Sequence, residues 1–161
     1  MILFLKINKM ERNIIDVINY LGESDKLYSV GEVDPSKIAQ AAKRLGVEFA
    51  KDFVEYTQKY GSISVGEIEL CGIDDDRDTS IVEQTKKMRR LYSNFPRDCY
   101  VVERLGIEDD SIIQNPDGKI YLFTEWEKEP QFVANSLSEY LLKKVAARDT
   151  RSEHWKARAN D

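Results

Sequence analysis

Apolar side chains recur every three to four residues in five stretches of the chain, and this spacing predicts five helices. Capping signals mark several of their ends: Asp34 precedes a proline, and Ser80 and Ser136 each lie three residues before a glutamate. The first helix is expected to end before Gly22. The five predicted helices lie at about residues 13–21, 35–45, 50–60, 80–92 and 136–148.

Alternating apolar and polar side chains predict strands in much of the remaining chain. One strand is expected over residues 62–70, with Gly66 as a bulge, and another over residues 100–105. Residues 111–114 and 119–124 flank an Asn-Pro-Asp-Gly turn and are predicted to form a hairpin. This order of elements favours an α+β fold, with a mixed, largely antiparallel sheet and helices packed on it.

Charge is unevenly spread over the 161 residues, of which 24 are basic and 29 acidic. Residues 61–142 carry 17 acidic and nine basic side chains, whereas residues 143–161 carry three acidic and six basic ones. The acidic segment argues against a specific nucleic-acid partner, because binding phosphates requires clustered lysine and arginine. It favours a basic protein partner, although an acidic surface that only maintains solubility is the alternative interpretation.

The aspartate-rich residues 74–78 do not match a calcium-binding loop. When the first aspartate takes position one of an EF-hand loop, Thr79 stands where glycine is needed and Thr85 where glutamate is needed. The pattern therefore predicts no metal site. Two alternatives stay open: irregular binding of a divalent cation, and a hydrolase that pairs these carboxylates with residues 108–110.

Little else in the sequence indicates catalysis. The only histidine, His154, falls in a polar C-terminal segment, and the eight glycines form no phosphate-binding loop, so we predict neither a catalytic triad nor a cofactor. Cys71 and Cys99 are too few for a disulfide framework and suit the reducing cytoplasm. The apolar run at residues 1–5 is too short for a signal peptide, and no stretch has the length of a membrane span.

Several stretches, taken in order, resemble the SUKH superfamily. A helix that ends in Leu45-Gly46 is followed by one that carries Asp52-Phe53 and ends in Tyr60-Gly61. Residues 67–73 resemble the first strand of that family, although Cys71 stands where a small polar residue is commoner. Further resemblance to its later strands, hairpin and closing helix lies in residues 100–103, 113–121 and 136–141.

The resemblance covers about residues 33–145 and implies a SUKH-like α+β fold. We therefore expect three parts: an N-terminal helical extension over residues 1–32 that packs on the domain, a SUKH-like domain over residues 33–148, and a polar C-terminal tail over residues 149–161. Whether Met1 or Met10 is the natural start stays open.

The resemblance also implies a function. Its bacterial members are mainly cytoplasmic immunity proteins that bind and neutralise a cognate polymorphic toxin, commonly a nuclease, without shared catalytic residues. The alternative that it implies is a regulatory or scaffold module, as in the fungal members that regulate cell-wall synthesis. A monomer and a homodimer are both compatible with the sequence.

Because the resemblance transfers no functional residue, the candidate toxin-binding surface is predicted from charge and loop placement alone. We call it the acidic patch, and it comprises Asp74, Asp75, Asp76, Asp78, Glu108, Asp109 and Asp110.

Overall fold

A computed structural model describes residues 13–159, with side chains described as far as Asp149. Five helices and seven strands lie in this part of the chain. In chain order they are α1 (Ile14–Ser24), β1 (Leu27–Ser29), α2 (Pro35–Leu45), α3 (Lys51–Tyr60), β2 (Ile63–Val65), β3 (Ile68–Leu70), α4 (Ile81–Leu91), β4 (Tyr100–Arg104), β5 (Ser111–Gln114), β6 (Ile120–Phe123), β7 (Gln131–Ala134) and α5 (Leu137–Ala159).

The seven strands form one sheet in which each strand pairs with the next strand of the chain. All six pairings are antiparallel. Within the described residues, the one parallel contact outside the named strands is an isolated bridge between Gly72 and Ser80. The prediction of an α+β fold with a largely antiparallel sheet is confirmed.

A bulge in β4 changes the face of the sheet on which its side chains lie. Val101 pairs with Ile113 and Glu103 pairs with Ile112, so the bulged strand has one extra residue between the two pairs. Val101 and Glu103 therefore lie on opposite faces. On the Val101 face, the ring of Phe123 packs against Tyr92 and Phe95, which directly follow α4, whereas α5 lies on the Glu103 face.

Asp52 links α3 to both the β5–β6 hairpin and α5. Its Oδ1 accepts a hydrogen bond from Gln114 Nε2 at 2.9 Å, and its Oδ2 accepts one from the backbone N–H of Leu137 at 2.8 Å. Gln114 in turn accepts a hydrogen bond from the hydroxyl of Tyr100, which accepts one from the N–H of Ala50. These bonds satisfy donors at the start of two helices and fix how those helices meet the sheet.

The capping signals identify most helix ends correctly. Asp34 caps α2, and Gly46 ends it with a φ of 65°, in the left-handed region that glycine adopts readily. The hydroxyls of Ser80 and Ser136 accept the predicted N–H groups three residues on. The predicted stop at Gly22 is wrong, because α1 continues through it to Ser24.

The structure differs from the predicted elements in four other places: residues 62–70, the strands β1 and β7, and the last helix. The segment 62–70 is not one bulged strand but the hairpin β2–β3, and Gly66 takes a φ of 59° in its two-residue turn. The edge strands β1 and β7 were not predicted, because short, partly exposed strands carry little alternation. The last helix does not end near Arg148 but extends to Ala159.

The division of the chain at residues 32 and 148 stays a prediction, and residues 1–12 lie outside the described residues. Within the described part of the proposed extension, Val17, Ile18 and Leu21 of α1 belong to the same apolar core as the sheet residues. Over the described range, the helices include none with the length and apolarity required to span a membrane.

Candidate protein-binding surface

The first half of the acidic patch lies in the connection between β3 and α4, residues 73–79, which we call the Asp74 loop. Asp74 is partly buried, and its Oδ2 accepts hydrogen bonds from the hydroxyls of Ser62 at 2.8 Å and Thr79 at 2.7 Å. Its Oδ1 accepts the N–H of Asp76 at 3.0 Å. Burial acts to raise the pKa of Asp74, but these hydrogen bonds to the carboxylate outweigh it and lower the pKa.

The remaining carboxylates of the Asp74 loop are exposed. Asp76 accepts the N–H of Asp78 at 2.9 Å, and Asp78 forms an ion pair with Arg104 at 3.4 Å. A cleft of about 410 Å³ adjoins Asp74 and Asp75 and is lined on its other side by basic and polar residues of α2, Lys37, Gln40 and Arg44. The negative charge of this loop is therefore partly offset by basic neighbours.

The second half of the acidic patch lies between β4 and β5, in residues 105–110, which we call the Glu108 loop. The loop is closed by a hydrogen bond from the N–H of Leu105 to the carbonyl of Asp110 at 3.1 Å. Glu108 has a φ of 51°, and it is the only non-glycine residue with positive φ within residues 13–159. Its side chain is exposed, whereas those of Asp109 and Asp110 are partly buried.

Asp109 fastens the Glu108 loop to α4 and the segment that follows it. Its Oδ2 accepts the hydroxyl of Tyr92 at 2.5 Å, and its Oδ1 lies 3.7 Å from Nζ of Lys87. The hydrogen bond to Asp109, and to a lesser degree partial burial, raises the pKa of Tyr92.

Arg104 connects the two halves of the acidic patch. Its guanidinium pairs with Asp78 of the Asp74 loop, and its backbone leads directly into the Glu108 loop. The structure thus links the two predicted clusters through this one side chain, while the β3–β4 and β4–β5 connections themselves start from opposite ends of the sheet.

A third acidic loop adjoins the patch and was missed in the sequence analysis. It connects β6 to β7, covers residues 124–130, and we call it the Trp126 loop. The indole Nε1 of Trp126 donates to Glu108 Oε2 at 3.0 Å. In an antiparallel meander, every second connection lies at the same end of the sheet, as the β4–β5 and β6–β7 connections do here. The order of the strands could therefore have predicted that these two loops lie at the same end, but β7 was not predicted.

Among the side chains that the structure describes, sulfur and carboxylate groups form no further assembled site. Both cysteines are buried and free, and burial raises the pKa of each thiol to about 12. Among the residues that the structure describes, no three His, Cys, Asp or Glu side chains are grouped to hold a metal ion. The side chain of His154 lies outside the described residues.

A seven-stranded antiparallel sheet with helices on both faces, and with its candidate residues on exposed loops, defines an α+β domain of the SUKH type. The SUKH_5 family, described as SMI1-KNR4 cell-wall, matches the chain over residues 10–146. The chain belongs to this family, and the match includes α1 and β1 as well as the segment that carries the resemblance. No curated protein matches the chain significantly.

Proposed function

We propose that this protein is an immunity protein that binds and neutralises a cognate bacterial toxin. Its family is consistent with either an immunity role or an SMI1-KNR4-like role, and its members are generally non-enzymatic. The proposed partner is a basic polymorphic toxin, a nuclease in our proposal, whose active surface the protein occludes in the cytoplasm. The proposal includes no cofactor, no membrane and no catalytic step of the protein's own.

The observation that carries the proposal is the set of exposed carboxylates on two loops that Arg104 links. Asp75, Asp76, Asp78 and Glu108 are exposed, and Arg104, the last residue of β4 before the Glu108 loop, pairs with Asp78. A nuclease needs a positive surface to bind its phosphate substrate, so closely spaced carboxylates complement it and compete with phosphate groups. Such charge also accelerates the encounter of the two proteins.

A growth assay tests this proposal. The C-terminal domain encoded by a neighbouring toxin-like gene is expressed in bacteria together with the wild-type chain or with a variant. The patch variant neutralises Asp75, Asp76, Glu108 and Asp110 by amide substitution. Its matched control makes the same change in charge at exposed residues on other elements, namely Asp16, Glu32, Glu48 and Asp117.

We expect the wild type and the control variant to restore growth and the patch variant to protect poorly. Full protection by the patch variant contradicts the assignment of the acidic patch but leaves the immunity role intact. No protection by the wild type contradicts the immunity role itself.

The second candidate function is a regulatory or scaffold module without a toxin partner. The observation that favours it is the description of the matching family, which refers to the cell wall. An unrelated neighbouring gene, together with no protection in the growth assay, makes this function the better account.

A further inference from the structure

We propose that Trp126 and Ile107 anchor the surface that contacts the toxin, an inference that rests on the proposed immunity function and assigns the centre of its interface. Trp126 is 77% exposed and Ile107 is 69% exposed. Scattered exposed apolar residues are ordinary, but these two belong to loops in direct contact. Ile107 directly precedes Glu108, the residue that accepts the indole N–H of Trp126 at 3.0 Å.

The Trp126 loop is held in place before any partner binds. The N–H of Glu127 donates to Oγ1 of Thr124 at 3.3 Å, and the side chain of Asn94 donates to the carbonyl of Glu127, also at 3.3 Å. The bond to Thr124 lies within the loop, whereas the bonds to Asn94 and Glu108 tie the loop to two other segments. An anchor that is already ordered loses less conformational entropy on binding, which favours affinity.

Carboxylates surround the two apolar side chains. The Glu108 loop carries three of them and the Trp126 loop another three, at Glu125, Glu127 and Glu129, whereas the only basic residue in either loop is Lys128. Lys87 approaches from α4 and pairs with Asp109. With six carboxylates and one lysine in the two loops, we expect a negative potential around the two apolar side chains.

This combination identifies the chemistry of the partner. An exposed tryptophan within a charged rim is typical of a protein interface, where tryptophan is enriched among the residues that dominate affinity. Nucleic acids and anionic membranes carry phosphates that the six carboxylates repel, and a second copy of this surface carries the same charge. The occupant is therefore a protein with lysine and arginine side chains around an apolar pocket.

Calorimetric titration of the full chain against a catalytically inactivated toxin domain, encoded by the neighbouring gene, tests the anchor. We expect Trp126→Ala to weaken binding about 30-fold or more, as for an interface residue that dominates affinity. Trp126→Phe keeps the apolar ring but not the N–H donor and should lose less. The matched control is Ile15→Ala, which truncates a partly exposed apolar side chain of α1 in a cleft that contains no residue of the acidic patch.

Tryptophan fluorescence reports whether the toxin domain covers Trp126 without truncating that side chain. Trp155→Phe leaves Trp126 as the only tryptophan of the chain, and its emission should shift to shorter wavelength when the toxin domain covers it. Wild-type binding with an unshifted emission, or with Trp126→Ala as tight as Ile15→Ala, overturns the anchor and leaves the immunity function standing. No binding by the wild type overturns the immunity function, and the anchor fails with it.

Discussion

Glu103 is a buried charge whose removal should measurably destabilise the fold. It is 2% exposed, and its Oε1 accepts hydrogen bonds from the hydroxyl of Tyr140 and from Nζ of Lys144, the latter at 2.7 Å. Its Oε2 accepts the N–H of Glu69 at 3.3 Å. The carboxylate thus joins β4 to both β3 and α5. Burial of Tyr140 and the negative charge of Glu103 beside it raise the pKa of the Tyr140 hydroxyl.

Glu103→Gln keeps the size of the side chain but replaces one acceptor oxygen with a donor amide. Lys144 and the N–H of Glu69 can only donate, so at least one hydrogen bond to Glu103 is lost. A hydrogen bond to a charged group contributes about 1.5–3 kcal/mol to stability. Because Lys144 is partly exposed and regains hydration, we expect the lower part of that range, about 2 kcal/mol.

Urea unfolding followed by circular dichroism measures this change in the free energy of unfolding. In a thermal melt, a loss of this size lowers the midpoint by about 4–8 °C for a chain of this length. Glu67→Gln is the control, since Glu67 is an exposed glutamate in the β2–β3 turn and should change stability by less than about 0.5 kcal/mol.

A double-mutant cycle with Lys144→Met then isolates the interaction between the two charges. We expect the double variant to be less destabilised than the sum of the two single variants, because the pair is already broken in each. A loss below about 0.5 kcal/mol for Glu103→Gln, or strictly additive effects, would refute this account of the buried contact.

Three further predictions concern the remaining structural residues. Asp52→Ala removes the acceptor for Leu137 N–H and should lower stability by about 1–2 kcal/mol in urea unfolding; an unchanged midpoint contradicts the link between α3 and α5. Asp74 has a lowered pKa, so its carboxylate stabilises the fold above its ordinary pKa of 3.8, and this contribution is lost as pH falls through the folded-state value. The difference in stability between the wild type and Asp74→Asn should accordingly shrink from pH 7 to about pH 3, and a constant difference would show that the carboxylate charge is not responsible. Since burial raises the pKa of Cys71 and Cys99 to about 12, both thiols should resist alkylation at about pH 8 in the native state and react after unfolding; rapid labelling of the native chain contradicts their burial.

Local signals in the sequence predicted most of the fold. Asp34 and Gly46 bound α2 as predicted, because capping depends on side chains and backbone angles within a few residues. The edge strands β1 and β7 pair on one side only and lack a full apolar face, so no local pattern reveals them. Gly66 illustrates a real ambiguity, because a glycine with positive φ serves equally in a bulge and in a tight turn.

The family resemblance depends on residues that build the fold rather than on residues that recognise a partner. Asp52, which helped to carry it, accepts hydrogen bonds from Gln114 and Leu137. Such a contact explains why the resemblance predicts architecture and transfers no binding residue.

The candidate site was predictable only in part, because its loops are joined by long-range contacts. The sequence marks residues 74–78 and 108–110 as acidic surface loops, but not that Asp74 is bonded to Ser62 of an earlier segment. It equally conceals the bond from Trp126 to Glu108, which brings a third acidic loop to the patch.

The measurement that tests the central claim most directly is the binding of the wild-type chain to the toxin domain of the neighbouring gene. Both the affinity and the association rate are measured at low and at high salt. If carboxylates on these loops meet a basic toxin, binding is tight at about 50 mM salt, and the association rate falls at least about tenfold at about 300 mM. Absence of binding, or tight binding with an association rate that salt leaves unchanged, would contradict recognition through this acidic surface.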